Sequence, residues 1–242
     1  MTYSDYSDTL EKPIRPDDAL RADPAVVPDM LIDAAAPDAP TGMAWAAKSV
    51  MERGAAGLGL VVLSPLFLGL AVAVKLESRG PVFFRQPRFG KGGVPFTVFK
   101  FRTMRADMGD VTGGQQTAHN DRRVTRVGHV LRVTSLDEIP QLYNVLRGDM
   151  HVVGPRAHPC GMRVDGTLCE DIDPRYHHRH AVPPGVTGWA QVNGSRGPVD
   201  RPDQLRRRVD LDIEYIRNWS FRGDLGIWAR TVRVVLSRDQ AR

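Results

Sequence analysis

One uncharged stretch dominates the hydrophobic pattern of the chain. It runs over 21 residues, from Gly54 to Val74. As a straight helix it would span about 30 Å, the thickness of one hydrocarbon core. Pro65, near its middle, has no backbone N–H and leaves the carbonyl of Val61 without its helical partner. The hydroxyl of Ser64 can replace that bond, so the pattern predicts two helices separated by a break at Ser64 and Pro65.

Basic residues flank this stretch on both sides, at Lys48, Arg53, Lys75, Arg79 and Arg85. Because Lys and Arg favour the cytoplasmic side of a membrane, both ends are expected on that side. We therefore predict that residues 45–80 form a re-entrant helix–break–helix, which enters one leaflet and returns. A kinked helix that spans the membrane is the open alternative. A core helix of a soluble protein is disfavoured by the length of the stretch.

Past Gly80 the pattern becomes that of an α+β domain. The segments 81–86 and 94–102 are rich in aromatic and β-branched residues, and the Gly-rich residues between them predict a β-hairpin. The polar, Gly-rich segment 109–120 predicts a loop. The remaining expected elements are a helix over 137–146, an extended segment over 149–155, an irregular segment over 160–175, and amphipathic helices over 202–218 and 225–237.

The last of these helices has an apolar face formed by Leu225, Trp228, Val232 and Leu236. Such a face can lie along lipid headgroups, and it can equally face a protein core. If it lies along headgroups, it is an interfacial helix of the domain that we expect to cover residues 81–242.

The charge of the chain is divided unevenly. Residues 1–44 contain nine acids and three bases, a net charge of −6, and recurring Pro and Asp predict a disordered acidic tail. Because the whole chain carries +5, residues 45–242 carry +11. Such a basic excess suits anionic lipids, nucleotide phosphates or nucleic acid.

The cysteines and histidines give a weak signal. Two cysteines do not make a disulfide framework, which favours a reducing compartment. A zinc site would draw on Cys160, Cys169, His177, His178 and His180. Their spacing matches no familiar ligand pattern, so packing or phosphate contact is the preferred interpretation for the histidines.

The pair Asp137-Glu138 is the strongest chemical signal. Pro140 fits a helix only in its first turn, so both carboxylates should stand near the positive end of a helix. That field, together with nearby arginines, is expected to keep Asp137 ionised. An ionised carboxylate can attack phosphorus or bind Mg²⁺. The open alternative is an ordinary capping box made by Ser135 and Glu138.

Basic side chains are expected around this pair. Arg132 and Arg156 lie on either side of it in sequence, and guanidinium groups bind phosphate in two-point geometry. Lys100 and Arg102 end the second strand of the hairpin and can line the same pocket. For any single arginine, a solvated surface charge is the competing interpretation.

In order along the chain, several segments resemble the bacterial sugar transferase family, the monotopic phosphoglycosyl transferases, in their short catalytic form. The resemblance runs from about Lys48 to the C-terminal end. It rests on these motifs: Ser64-Pro65; Gly80-Pro-Val-Phe-Phe-Arg-Gln; Lys100-Phe-Arg-Thr-Met; Leu131-Arg-Val-Thr-Ser-Leu-Asp-Glu-Ile-Pro-Gln-Leu; Val153-Gly-Pro-Arg; Pro184-Gly-Val-Thr-Gly-Trp-Ala-Gln-Val-Asn-Gly; and Asp212-Ile-Glu-Tyr-Ile-Arg-Asn-Trp-Ser.

The resemblance implies transfer of a hexose-1-phosphate, glucose or galactose, from a UDP-sugar to polyprenyl phosphate. UMP leaves, and the product begins an exopolysaccharide or glycoconjugate. It implies the cytoplasmic face of the bacterial inner membrane, with lipid and not nucleic acid as a partner, and it leaves a homodimer open.

The resemblance also implies roles for particular residues. Asp137 is the nucleophile that takes the phospho-sugar and binds Mg²⁺, and Glu138 assists it. Phosphate or substrate is held by Lys100, Arg102, Arg132, Arg156 and Asp212. Ser64 and Pro65 form the membrane break.

One position departs from the family pattern. Family members often place a second Pro after Gly-Pro-Arg, where this chain has Ala157 followed by His158. The backbone just after Arg156 is therefore expected to differ from the family pattern, whereas the role implied for Arg156 is unaffected.

Two rival functions remain at this stage. One is a membrane-tethered basic scaffold for polysaccharide assembly, without catalysis. The other is a glycosidase with two carboxylates, but adjacent carboxylates do not form the facing pair that such chemistry requires.

Overall fold

The computed structural model describes residues 37–106 and 121–236, with side chains up to residue 233. The predicted loop 109–120 and most of the predicted acidic tail lie outside the described residues. The helices are α1 Met43–Val62, α2 Ser64–Glu77, α3 Arg126–Val133, α4 Gln141–Arg147, α5 Cys169–Ile172, α6 Trp189–Val192, α7 Pro202–Arg217 and α8 Phe221–Leu236. The strands are β1 Phe83–Phe89, β2 Pro95–Phe101, β3 His151–Val153, β4 Arg163–Val164, β5 Thr167–Leu168 and β6 Gly185–Thr187. This mixture agrees with the predicted α+β class.

The predicted break between the first two helices is confirmed. Helices α1 and α2 meet at an angle of 64°. Pro65 is the second residue of α2, and the hydroxyl of Ser64 donates to the carbonyl of Val61 at 2.7 Å. The bond that proline removes from the backbone is thus replaced by a side chain, as the sequence predicts.

The bent pair is the most apolar part of the described chain. Within residues 37–106 and 121–236, no single helix is long and apolar enough to cross a membrane, whereas the α1–α2 pair together reaches that length and composition. Large apolar side chains stand exposed along the pair, at Val50, Met51, Leu58, Val61, Val62, Leu66, Leu68, Val72 and Leu76. Apolar side chains exposed side by side in this number are typical of a surface that binds lipid or another protein.

The β-hairpin connects the helix pair to the rest of the protein. β1 and β2 are antiparallel, with Phe83 opposite Phe101 and Phe84 opposite Lys100. The ring of Phe101 is buried and lies 5.4 Å from the ring of Phe67 on α2. Because side chains alternate between the faces of a strand, Lys100 points to the other face. The hairpin therefore places Lys100 on the side opposite the aromatic contact with α2.

A buried lysine joins α1 to the C-terminal half. The ammonium of Lys48 donates to Glu52 at 2.6 Å, to Asp224 on α8 at 2.7 Å, and to the carbonyl of Val153 at 3.1 Å. The hydroxyl of Tyr215 lies 2.9 Å from Asp224, to which it donates, and 3.1 Å from the same carbonyl. A buried charge is tolerated only when it is paired in this way. The network therefore fixes α1 against β3, α7 and α8.

Three predicted boundaries are corrected. The helix expected from Asp137 begins at Gln141, because Leu136–Glu138 form a separate 3₁₀ turn. The segment expected to be irregular contains β4, β5 and α5. The last helix begins at Phe221 and not at Leu225, since Ser220 caps it by accepting a bond from the backbone of Gly223.

Stability is expected to fall in acid because of His151 on β3. This histidine is 3% exposed, and burial, followed by the charges of Lys48, Arg53 and Lys91, lowers its pKa to about 3. In the unfolded chain it titrates near 6.5, so protonation favours unfolding as pH falls below that value. Between pH 7 and pH 5, His151 should cost about 2 kcal/mol of the free energy of unfolding.

Denaturant unfolding of the purified protein at both pH values measures this cost. In His151→Gln the loss between pH 7 and pH 5 should be smaller by about the same amount, because glutamine does not titrate. An equal pH dependence in the two proteins would contradict the interpretation.

Candidate active site

The acidic pair stands on a short turn between α3 and α4. Ser135 has a left-handed backbone, with φ of 57°, and reverses the chain after α3. Asp137 and Glu138 then form the 3₁₀ turn, and Pro140 caps the start of α4. The alternative of a capping box is not observed: the side chain of Ser135 makes no cap bond, and Glu138 turns toward cations.

Glu138 is held between two cations. Its Oε1 accepts from the ammonium of Lys100 at 2.6 Å and from the guanidinium of Arg156 at 2.6 Å. Burial alone would raise the pKa of Glu138, but Arg156 and Lys100 lower that pKa well below its usual value. Glu138 is therefore an ionised anchor that gathers two cations beside Asp137.

Asp137 is placed differently from its neighbour. It is 9% exposed, and no described residue donates a hydrogen bond to it or forms an ion pair with it. Burial raises the pKa of Asp137 and Glu138 adds to this, while Lys100, Arg132 and Arg156 act in the opposite direction. The expectation that the arginines and a helix end would dominate is corrected, because burial and the adjacent carboxylate outweigh them.

Both carboxylates line a cavity of about 1230 Å³. Among the described residues, its wall holds these two acids and ten basic side chains: Arg85, Arg88, Lys100, Arg102, Arg105, Arg123, Arg132, Arg156, Arg196 and Arg208. An excess of cations in a partly buried cavity favours a ligand with several negative charges. Phosphate groups meet that requirement, with guanidinium forks as their natural partners.

The predicted phosphate-binding residues are not equivalent. Lys100, Arg132 and Arg156 line the cavity close enough to Asp137 to affect its pKa. The Nε of Arg132 donates to the hydroxyl of Thr103 at 2.9 Å, which orients its guanidinium. These three residues come together around the acidic pair as the sequence predicts.

Arg102 and Asp212 have other surroundings than the sequence suggests. Arg102 lies on the cavity wall, but its guanidinium donates to the backbone carbonyls of Val74, Ser78 and Arg79 and so caps the end of α2. These bonds commit Arg102 to holding α2 against the hairpin.

Asp212 lies behind the cavity wall. It is 1% exposed and is bound to the buried Arg179 at 2.6 Å. Arg179 in turn donates to the carbonyl of Arg156 at 2.8 Å. The predicted contact of Asp212 with substrate is therefore corrected to a positioning role, exerted through Arg179 on the backbone of Arg156.

The segment around Arg156 is fixed from several sides. β3 pairs in parallel with β6, and the N–H of Gly185 donates to the carbonyl of Pro155 at 2.8 Å. A Cβ at Gly185 would lie 2.1 Å from the backbone nitrogen of Gly154, so only glycine permits this approach. Arg88 donates to the carbonyl of Ala157 at 2.6 Å. Two of the motifs in the sequence, Val153–Arg156 and Pro184–Gly194, thus meet in space.

Sequence reasoning missed several residues of the cavity wall. Arg88 is the clearest case, because it lies on the same face of the hairpin as Lys100. The predicted segment ended at Gln86, and this left out Arg88, which the strand includes and pairs with Phe96. Arg196, Arg208, His158 and Gln191 also line the cavity, and no local pattern brings them together with Asp137.

The histidine cluster packs as the preferred interpretation predicts. The ring of His180 lies 5.2 Å from Phe89 and 5.5 Å from Tyr176, and Nδ1 of His158 lies 2.9 Å from the hydroxyl of Tyr176. No group of three or more His, Cys, Asp or Glu residues placed for a metal occurs in the described part of the chain.

A magnesium ion would depend on Asp137. Mg²⁺ is commonly bound by one or two carboxylates together with substrate phosphates and water. Asp137 lines the cavity and its carboxylate is not engaged by any described residue, so its donor set fits such an ion. Glu138 is less suited, because its oxygens already accept from Lys100 and Arg156.

The chain is similar in sequence to several known proteins. The chain is 51% identical over 181 residues to the exopolysaccharide production protein PSS of Rhizobium leguminosarum bv. phaseoli, which covers 75% of the chain and 90% of that relative. It is also 49% identical to the undecaprenyl-phosphate glucose phosphotransferase of Komagataeibacter xylinus, and the aligned region covers 79% of this chain and 36% of that relative. It is 47% identical to the UDP-glucose:undecaprenyl-phosphate glucose-1-phosphate transferase of Caulobacter vibrioides, over 80% of the chain and 71% of the relative.

The chain thus spans most of some relatives and little more than a third of others. The family described as bacterial sugar transferase matches residues 43–238. That range contains the helix pair, the hairpin and every residue of the cavity. The chain belongs to the bacterial sugar transferase family.

Proposed function

We propose that this protein transfers a sugar-1-phosphate, most simply glucose-1-phosphate, from a UDP-sugar to undecaprenyl phosphate and releases UMP. The observation that carries the proposal is the difference in surroundings between the adjacent carboxylates of Asp137 and Glu138. Glu138 fixes two cations, while Asp137 faces the cavity with its carboxylate unengaged by the described residues. The name of the relative from Caulobacter supports the same donor and acceptor, and the name of the relative from Komagataeibacter supports glucose and undecaprenyl phosphate.

The reaction is proposed to proceed in two displacements. In the first, a carboxylate oxygen of Asp137 attacks the phosphorus that carries the sugar. The bond from that phosphorus to the UMP oxygen breaks, and UMP leaves with the electron pair. In the second, an oxygen of undecaprenyl phosphate attacks the same phosphorus and displaces the carboxylate. The product is a lipid diphosphate-sugar, and Asp137 is regenerated.

The cations would stabilise charge in both displacements. Lys100 and Arg156 are held by Glu138 and do not have to reorganise when substrate arrives. Arg132, oriented by Thr103, supplies a further guanidinium beside Asp137. When Mg²⁺ is bound at Asp137, it would neutralise part of the phosphate charge. The burial that raises the pKa of Asp137 would also limit the access of water to the acyl phosphate formed on this side chain.

The helix pair is proposed to hold this cavity at a membrane surface. The exposed apolar side chains of α1 and α2 suit lipid, and Lys75 and Arg79 at the end of α2 suit headgroups. On α8, Leu225 and Trp228 are each 56% exposed, which suits an interfacial helix. We infer a re-entrant pair whose ends both face the cytoplasm of a bacterium, with residues 81–242 at the cytoplasmic face of the inner membrane.

Replacing the proposed nucleophile should abolish turnover. In Asp137→Asn, UMP release from UDP-glucose and undecaprenyl phosphate should fall by about 10³-fold or more, because an amide does not attack phosphorus. Asp203→Asn is the matched control, since that carboxylate is 66% exposed on α7 and lies outside the cavity. Retention of UMP release by Asp137→Asn would refute the assignment of Asp137 as the nucleophile. Absence of UMP release by the unmodified protein would instead favour a non-catalytic scaffold.

Removing divalent cations tests whether the reaction requires Mg²⁺. Excess EDTA should stop UMP release by the unmodified protein, and added Mg²⁺ should restore it, because the diphosphate charge would otherwise oppose attack by a carboxylate. Unchanged turnover in EDTA would show that the cationic side chains of the cavity suffice without a metal.

Membrane topology can be measured with cysteines on either side of the pair. Thr41→Cys and Arg79→Cys introduce thiols before α1 and after α2. Both thiols should react with a membrane-impermeant maleimide in inside-out vesicles. Neither thiol should react when the maleimide reaches only the outer face of the membrane. Labelling of the two positions from opposite sides would instead establish a spanning pair. The unsubstituted protein is the control, because Cys160 and Cys169 are buried.

A further inference from the structure

One further basic side chain reaches the turn of Asp137 from the loop between α6 and α7. Arg196 lies on this loop and lines the cavity that contains Asp137. Its Nη2 donates to the hydroxyl of Ser135 at 3.0 Å, and Ser135 precedes Asp137 by two residues. The guanidinium is therefore placed beside the turn that carries the proposed nucleophile.

The loop holds Arg196 in a defined position. Gly194 and Gly197 flank it with φ of 84° and 89°, a backbone conformation that favours glycine. The buried Arg208 of α7 donates to the hydroxyl of Ser195 at 3.1 Å, and to the carbonyls of Ser195 and Gly197 at 2.8 and 3.0 Å. The backbone on both sides of Arg196 is thus attached to α7.

Arg196 differs in its partner from the cations that Glu138 gathers. Lys100 and Arg156 are bound to the carboxylate of Glu138, which neutralises part of their charge. Arg196 donates instead to a neutral hydroxyl group. Guanidinium binds phosphate in two-point geometry, and a neutral partner leaves its charge in place. Arg196 therefore offers a phosphate group a full positive charge.

Exposure places Arg196 further out than the acidic pair. Asp137 is 9% exposed, and the side chains of Lys100 and Arg156 are 14% and 28% exposed. Arg196 belongs to the exposed class and so lies at the rim of the cavity. A phosphate at the rim belongs to a molecule that arrives or departs, whereas the phosphate that becomes attached to Asp137 lies deeper.

The two proposed displacements use one outer position twice. In phosphoryl transfer, the attacking and leaving oxygens lie roughly in line through the phosphorus. UMP therefore leaves from the side of the phosphorus opposite to Asp137. Undecaprenyl phosphate displaces Asp137 and has to enter from that same side. UMP and the lipid phosphate are both phosphate monoesters, and their phosphate groups thus occupy one place in turn.

We propose that Arg196 binds this exchanging phosphate, first in the leaving UMP and then in the incoming undecaprenyl phosphate. The inference rests on the proposed function, since it presumes both displacements at Asp137. It separates the role of Arg196 from that of Lys100 and Arg156, which would stabilise the phosphate that is transferred.

The test replaces Arg196 with Met, which removes the charge and keeps most of the length of the side chain. In Arg196→Met the inhibition constant of UMP should rise, and kcat/KM for undecaprenyl phosphate should fall, each by about 10-fold, the effect of one hydrogen bond to a charged group. The inhibition constant of uridine should not change, because uridine has no phosphate. Arg196→Lys, which retains the charge without the two-point geometry, should show smaller changes.

A second exposed arginine provides the matched control. Arg201 lies five residues further along the chain, its side chain is 66% exposed, and it does not line the cavity. Arg201→Met should therefore match the unmodified protein in both constants. The thermal midpoint of Arg196→Met should also stay within about 2 °C of the unmodified protein, because substitutions of exposed side chains change stability little.

Three outcomes would overturn the inference. A change in only one of the two constants would show that UMP and undecaprenyl phosphate do not share Arg196. Weaker inhibition by uridine in parallel with UMP would show that the variant disturbs the nucleotide site as a whole. No change in either constant would show that Arg196 is only a surface charge. If the unmodified protein released no UMP from any UDP-sugar, the proposed function itself would fail, and this result is distinct from the other three.

Discussion

The structure depends on the way one buried carboxylate gathers positive charge beside another. Glu138 is half-buried in the cavity wall and stays ionised because Lys100 and Arg156 each approach it within 2.6 Å. Those cations come from β2 and from the segment after β3, so the ion pairs join distant parts of the chain. Removing Glu138 would leave two neighbouring cations without their shared partner, which is more costly than losing an exposed surface pair. The arrangement leaves Asp137 in a cationic cavity without a cation of its own.

The rest of the fold serves to fix this arrangement at a defined distance from the helix pair. Phe101 and Arg102 attach the hairpin to α2, so Lys100 cannot move independently of that helix. Lys48 attaches α1 to β3 and α8, and β3 leads directly to Arg156. Both cations that hold Glu138 are therefore carried by elements bound to the apolar pair. If that pair lies in one leaflet, the depth of the cavity relative to the lipid is set by these contacts.

Much of this could be predicted from the sequence, because the signals were local. The uncharged stretch, Pro65 and the hydroxyl of Ser64 predict the break and its replacement bond, and the alternation over 94–102 predicts the second strand. The hydrogen-bond and ion-pair partners of individual side chains were harder to predict, since they depend on tertiary contacts. Arg102 and Asp212 were assigned to phosphate from type and motif, whereas the structure commits one to the carbonyls of α2 and the other to Arg179. The pKa of Asp137 was misjudged for a related reason, because burial cannot be read from neighbours in sequence.

The central claim is that Asp137 carries the sugar-phosphate between donor and acceptor. The most direct measurement is mass spectrometry of the protein after incubation with UDP-glucose and Mg²⁺ in the absence of undecaprenyl phosphate. The account predicts an added mass of one hexose phosphate on the peptide that contains Asp137, released when undecaprenyl phosphate is added. Absence of any adduct in a preparation that releases UMP at its normal rate with both substrates present would contradict the account.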